Sequence, residues 1–395
     1  MTTERLVDLT APVARATDWL LTSGVQVVSA DPRHRGGFVS WYDADTQSMP
    51  YVYSEITGYL VTFMCARHAG TGDPRTLASA TAAGDWLLRT AHAETGGFRC
   101  LWPLTPSRFD YKVDQIYSFD TGVIISGLVN LHLACGDSRY LDAAGAAAEW
   151  LLRVSRKDDG LFQPVYDIAR ATPAPESANE WSLCAGAYHT KVALGLLNLF
   201  TVSGTTAYRD AAVAACDAAL ALQRPDGRFV TFPPDGGTNC HPHAYAAEGL
   251  WVVGRLLDRA DFLDASAHAT AWLLAIQSAD GMIPRHWHDG QPVYHERVDV
   301  LCQTLRLAAI HLAEGRIADT PARRERLDLL AGHILANQMT SPDPRVEGGF
   351  AFGRLSNGTP MPHVNVWVTA FAAQALAAYD DLRAGRPPLS PRFMV

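Results

Sequence analysis

Histidines, carboxylates and aromatic rings gather in six short stretches of this 395-residue chain. The first holds Trp41, Tyr53 and Glu55; the second Trp102, Tyr117 and Asp120; the third Trp181, Cys184, Tyr188 and His189. The fourth holds Cys240, His241, His243 and Glu248; the fifth Trp287, His295, Glu296 and Asp299; the sixth His363, Asn365 and Trp367. A histidine pair suits removal of a proton beside a carbonyl and its return. His243 and His363 take those roles, with His189, His241 and His295 as alternates. A pair of carboxyls with separated pKa values suits cleavage of a glycosidic bond. Glu55, Asp120, Glu296 and Asp299 form that pool. Trp41, Tyr53, Trp102, Tyr117, Trp181, Tyr188, Trp287 and Trp367 offer flat faces to a sugar ring. His189, His241, Glu248 and Asn365 would add polar contacts to a bound substrate. No metal is expected; if one is held, Cys184, Cys240 and His241 are its ligands.

Each residue also has a plainer reading. Asp120, in Ser118-Phe119-Asp120-Thr121, could cap a helix, and Glu55 could settle on a helix dipole. A single buried histidine is more often a hydrogen-bonded core residue than a catalyst. What favours chemistry is that the six stretches recur at one phase of a repeat. Charged groups are costly to bury unpaired, so a ring of them is better placed around a solvated pocket.

The repeat supplies the elements that would position them. Trp86-Leu87-Leu88 precedes Gly97-Phe98, Trp150-Leu151-Leu152 precedes Gly160-Leu161, and Trp272-Leu273-Leu274 precedes Gly281-Met282. Trp19-Leu20-Leu21 precedes Gly37-Phe38, and weaker copies end at Gly227 and Gly349. Each turn leads to a second helix, beginning near Tyr53, Asp120, Tyr188, His243, Asp299 and Asn365. These second helices are apolar nearly all round, as in Val123-Ile124-Ile125-Ser126-Gly127-Leu128, which predicts burial on every side. The first helices are amphipathic. Six hairpins of an outer and an inner helix therefore close a ring, an all-α (α/α)6 toroid spanning 1–395 as one domain, with a pocket where the inner helices begin. Helix N-termini bring unpaired N–H groups to that mouth.

Bulk properties narrow the field. Hydrophobic residues make up 48% and charged residues 19%, which suits a large core. The net charge of −8 shows no basic stripe, which argues against nucleic acid as a partner. The polar start, Met1 to Thr10, carries no secretory signal, and no apolar run is long enough to span a membrane. Seven cysteines without a Cys-x-x-Cys pair read as reduced thiols, so a cytoplasmic location is expected. No Gly-rich phosphate loop is present, so no nicotinamide or ATP cofactor is expected.

Ser54-Glu55-Ile56-Thr57-Gly58-Tyr59, Phe119-Asp120-Thr121-Gly122 and His243-Ala244-Tyr245-Ala246-Ala247-Glu248-Gly249-Leu250 resemble the inner-helix phrases of six-hairpin toroids. The chain resembles proteins of bacterial polysaccharide gene clusters related to glucuronyl C5-epimerases, and N-acylglucosamine 2-epimerases. The resemblance implies a toroid from about Trp19 to Tyr379, and a small sugar or oligosaccharide as partner. It implies an epimerase or isomerase with His243, Glu248 and His363 in the site. Similarity to unsaturated glucuronyl hydrolases implies instead a hydrolase or eliminase with two inner-helix carboxylates, from Glu55, Asp120 and Asp299. Similarity to lanthionine cyclases or prenyltransferase β-subunits implies a zinc toroid. The fourth possibility is a non-catalytic carbohydrate-binding toroid.

Overall fold

The recurring glycines and tryptophans are the residues that join one hairpin to the next. In the computed structural model, which describes residues 8–177, 180–231, 236–294, 296–355 and 357–395, Gly37 lies flat on the Trp86 indole. A methyl there would come within 2.7 Å of that ring. Gly97 meets Trp150 in the same way, and Gly349 of the last hairpin meets Trp19 of the first. The Trp19 and Trp86 indole N–H groups donate to the carbonyls of Arg345 and Arg33, at 2.9 and 2.8 Å. One contact type therefore links successive units and also closes the ring.

Twelve α-helices are described. Six lie outside: α1 (Thr10–Thr22), α3 (Pro74–Trp86), α5 (Ser138–Trp150), α7 (Thr206–Leu222), α9 (Ala260–Ala275) and α11 (Pro321–Leu335). Six lie inside: α2 (Ser54–Thr71), α4 (Ser118–Cys135), α6 (Thr190–Ser203), α8 (Cys240–Leu257), α10 (Val298–Ala313) and α12 (Val366–Arg383). Each inner helix packs on the next, and α12 returns to α2. The inner helices approach closely through small residues: a methyl on Gly127 would sit 2.7 Å from the Gly58 carbonyl oxygen. Tight turns lead from inner to outer helix. Gly72 and Gly136 end α2 and α4 at φ +69° and +77°, and Asp73 and Asp137 then cap α3 and α5 through the N–H of Arg75 and Arg139. Helix α4 is long and apolar enough to cross a membrane, but it is largely buried in the ring.

Short strands at the mouth are an addition to the helical expectation. Tyr51–Tyr53 pairs with Leu101–Pro103, Gln115–Tyr117 with Val165–Asp167, and Thr238–Asn239 with His286–His288. Trp41–Asp43 pairs with His363–Asn365, again joining first unit to last. The strands deliver the chain into the first turn of the inner helices, where the candidate residues stand. Below the mouth the barrel axis is filled. Lys191, Glu248 and Arg306 are all buried there, with Lys191 Nζ 3.0 Å from Glu248 and Arg306 ion-paired to the same carboxylate.

Candidate active site

The second residue of five of the six inner helices stands at the mouth; in α6 it is Lys191, which belongs to the ion cluster on the axis. Counting from the first helical residue, position two is Glu55 in α2, Phe119 in α4, His241 in α8, Asp299 in α10 and Trp367 in α12. Glu55, Phe119, His241 and Trp367 line a cavity of about 210 Å³, joined by Asp120, Tyr53, Tyr117, Trp181, Tyr188, Tyr245, Lys112 and Arg297. A cavity of ~150 Å³ holds benzene, so this one has room for a sugar ring. Its walls combine aromatic faces with a few ionisable groups, the usual make-up of a small-molecule site. Trp181 presents its ring edge-on to Tyr188 and His241, at centroid distances of 5.0 and 5.9 Å.

One wall carries two carboxyls. Burial pushes Glu55 up to about 7, against the opposing pull of the Tyr53 hydroxyl, Lys112 and Lys191. Glu55 is partly exposed and lines the cavity. Burial and the nearby Glu55 charge push Asp120 well above the carboxylate range, against Lys112. Both carboxyls are displaced towards the protonated form, so the pair retains a proton near neutral pH. Asp120 Oδ2 is shielded and has no hydrogen-bond partner among the described residues.

The wall three hairpins away carries a base. His241 Nδ1 lies 2.7 Å from Gln303 Oε1 and 3.5 Å from Asp299 Oδ2. Two oxygen acceptors hold the proton on Nδ1 and leave the Nε2 lone pair on a ring that lines the cavity. Burial pushes the imidazole down to about 4, against the pull of Asp299, so it is neutral at physiological pH. Burial works against the Asp299 carboxylate, but the Arg297 guanidinium, bonded through Nε at 3.0 Å and Nη2 at 2.5 Å, holds it down to about 2. The Trp367 indole adds a 3.5 Å contact.

Of the residues expected from the sequence, Tyr53, Glu55, Tyr117, Asp120, Trp181, Tyr188, His241 and Trp367 meet in this cavity, and Asp299 stands directly behind His241. Others do not reach it. His243 is a fully buried core residue: Nδ1 accepts from Phe229 N–H at 3.1 Å and Nε2 donates to the Ala269 carbonyl at 3.1 Å. His189 accepts from Phe162 N–H at 3.4 Å in the same manner. Thr57 and Thr369 fill the equivalent place by accepting from Phe38 and Phe350 N–H. These four side chains pin the Gly-x-Phe turns, so the shared phase of the two histidines is structural. Glu248 belongs to the ion cluster on the barrel axis and is removed from the substrate contacts.

His363 stands on the rim, stacked on Trp41 at 5.0 Å and paired with Asp43 at 3.3 Å. Glu296 turns to Arg354 and Asn337. Asn365 caps α12 by accepting from Val368 N–H at 3.1 Å. Trp41, Trp102 and Trp287 lie in the mouth strands outside the cavity lining. His295 lies outside the described residues. The zinc ligands are not assembled: Cys184 Sγ donates to the Ser177 carbonyl at 2.7 Å, Cys240 is buried, and no metal-holding group of histidines, cysteines and carboxylates occurs among the described residues. Lys112, Arg297, Ser182, Tyr245 and Gln303 were not singled out by the sequence. Tyr245 had a legible signal, since it lies one turn below His241 on the same helix face.

No family model matches the chain, and no curated protein sequence is significantly similar to it. Solved structures do resemble it. A sugar epimerase from a ruminal bacterium superposes with TM-score 0.76 at 12% identity, over 95% of this chain and 99% of that one. Cellobiose 2-epimerase from Spirochaeta thermophila DSM 6192 gives TM-score 0.75 at 16% identity, over 97% and 99%. Unsaturated glucuronyl hydrolase from Bacillus sp. GL1 gives TM-score 0.64 at 17% identity, over 92% and 96%. The chain thus has the six-hairpin toroid fold of these proteins over 92–97% of its length.

Proposed function

We propose that this protein is a carbohydrate-active enzyme that moves a proton at a sugar carbon next to a carbonyl, as an epimerase or isomerase. The observation that carries this reading is the neutral His241, with Nε2 free, facing a proton-holding Glu55–Asp120 pair across a sugar-sized aromatic cavity. His241 Nε2 takes the proton from carbon, and the electron pair moves into an enediolate. Lys112 and Arg297 offer positive charge to its oxygens. The carboxyl pair returns a proton from the opposite wall, which inverts the carbon and restores the carbonyl. Among the similar structures are a cellobiose 2-epimerase, a sugar epimerase and a mannose isomerase, which makes reducing aldoses the first substrates to try.

A second reading rests on the carboxyl pair alone. Glu55 and Asp120 could act as acid and base in hydrolysis or hydration, as the likeness to glucuronyl hydrolases suggests. Proton NMR in D2O separates the two. With mannose, glucose or cellobiose, the epimerase reading expects loss of the C2 proton signal and growth of an epimer or ketose. His241→Asn should slow this by ~10²–10⁴-fold, the range of general-base contributions. Release of free sugar from a glycoside with no exchange at carbon, insensitive to His241→Asn and abolished by Asp120→Asn, would replace the first reading with the second.

A further inference from the structure

A second cavity, of about 280 Å³, opens at the far end of the barrel. It lies where the ring closes, between α2 and α12, which share the least extensive of the six inner-helix interfaces. The C-terminal strap, residues 386–395, crosses this seam. Gln374 Nε2 donates to the Phe393 carbonyl at 2.7 Å, and Asn130 Nδ2 to the Arg392 carbonyl at 2.8 Å. Phe63, Ala66, Ala373, Ala377, Leu389 and Phe393 give the cavity mostly apolar walls.

One cation breaks that pattern. Arg67 lines the cavity, and its Nε is shielded from solvent with no hydrogen-bond partner among the described residues. No described carboxylate forms an ion pair with it. Asp381, in the same lining, is taken by Arg386 at 2.6 Å. Burial depresses the Arg67 pKa with no neighbouring charge to offset it. A half-buried guanidinium lacking a counter-ion is costly, and its planar fork is shaped for a carboxylate.

We propose that this seam cavity binds a small monocarboxylate with a hydrocarbon tail, its carboxylate on Arg67 and its tail against the alanine face of α12. The volume limits the ligand to roughly an aryl ring with a short linker, or a chain of about six to eight carbons, given that ~150 Å³ holds benzene. This site is at the opposite end of the ring from the sugar cavity and does not depend on the reaction proposed there.

Isothermal titration of the full-length protein with octanoate, 1-octanol and octylamine tests it. Octanoate should bind with one site per chain, and the alcohol and amine at least tenfold more weakly. Arg67→Gln should remove the preference for octanoate, and Arg67→Lys should retain part of it. Ala377→Leu should weaken octanoate but spare butyrate, because it fills the tail space and leaves Arg67 in place. Circular dichroism checks that each variant is folded. No octanoate binding to wild type, equal binding of octanol, or an unaltered preference in Arg67→Gln would each overturn the assignment.

Discussion

A buried carboxyl that keeps its proton near neutral pH burdens the fold only when it ionises. Glu55 titrates near 7 in the folded chain and near 4.5 when exposed. Its folded pKa is the higher one, so the folded state binds the proton more tightly. The associated stability is present at low pH and is lost as pH rises through about 7. A displacement of this size corresponds to roughly 2–3 kcal/mol, reduced somewhat by the carboxyl's contact with the cavity solvent. Glu55→Gln removes the ionisation, so it should raise the melting temperature at pH 8 by several degrees and change it little at pH 5, while turnover falls. Equal melting curves at pH 8 would show that Glu55 is not strained. Gln303 sets the other half of the site through the His241 tautomer. Gln303→Glu would put a carboxylate on Nδ1 and raise the imidazole pKa from about 4. The acid limb of the kcat/KM profile should move upward by a pH unit or more. An unmoved limb would mean that His241 is not the titrating base.

At the scale of the helix, the ring was legible and the pocket only partly so, for the same reason. The hairpins repeat their packing on one another, and packing leaves a periodic trace of glycine and tryptophan. Gly37, Gly97 and Gly349 on their tryptophans are such a trace, and it is visible as a phrase in the sequence. Chemistry follows a different phase, and two residues separate the kinds of work. Position two of α8 puts His241 in the cavity, while position four puts His243 behind Phe229. Both fall in the same loop of the sequence, so co-location alone could not separate them. The threonines at position four of α2 and α12 were the available clue, since Thr57 and Thr369 take the same backbone N–H. Lys112 lies in the short 3-10 turn Asp110–Asp114 between α3 and α4 of the second hairpin, where no repeat predicts a position. The packing argument makes its own prediction. A methyl on Gly195 would collide with the Gly122 carbonyl oxygen, which is backbone and cannot rotate aside. Gly195→Ala should therefore cost ~1–3 kcal/mol or more by overpacking, despite alanine's better helix propensity. Gly145, on outer helix α5, has no atom within 4 Å of an added methyl. Gly145→Ala should instead stabilise by ~0.5–1 kcal/mol. Denaturant melts of the two variants should shift in opposite directions.

At the scale of the whole molecule, the buried histidines make the ring sensitive to mild acid. Burial pushes His189 and His311 down to about 3, and His241 and His243 down to about 4. In the unfolded chain each titrates near 6.5. The folded pKa is the lower one, so the unfolded state binds more protons in the interval between. Stability is complete above pH 6.5 and is lost as pH falls towards the folded values. Each histidine could remove on the order of 3 kcal/mol if followed to the end of its interval. Four of them together come to about 12 kcal/mol, comparable to the ~5–15 kcal/mol that holds an ordinary domain, so unfolding should come before the interval is finished. The steep loss should begin between pH 6 and 5, above the range in which surface carboxylates take up protons. Melting temperature followed from pH 7.5 to 4.5 checks this, with His243→Gln flattening the slope by about one proton. His243 is the informative choice because it holds the turn at Phe229 and stands outside the cavity at the mouth. A flattened slope with retained sugar turnover would separate the histidine that supports the ring from the one assigned to chemistry. A plateau down to pH 5 would mean that these imidazoles are hydrated or charged in the folded protein, and the closed packing around them would have to be redrawn.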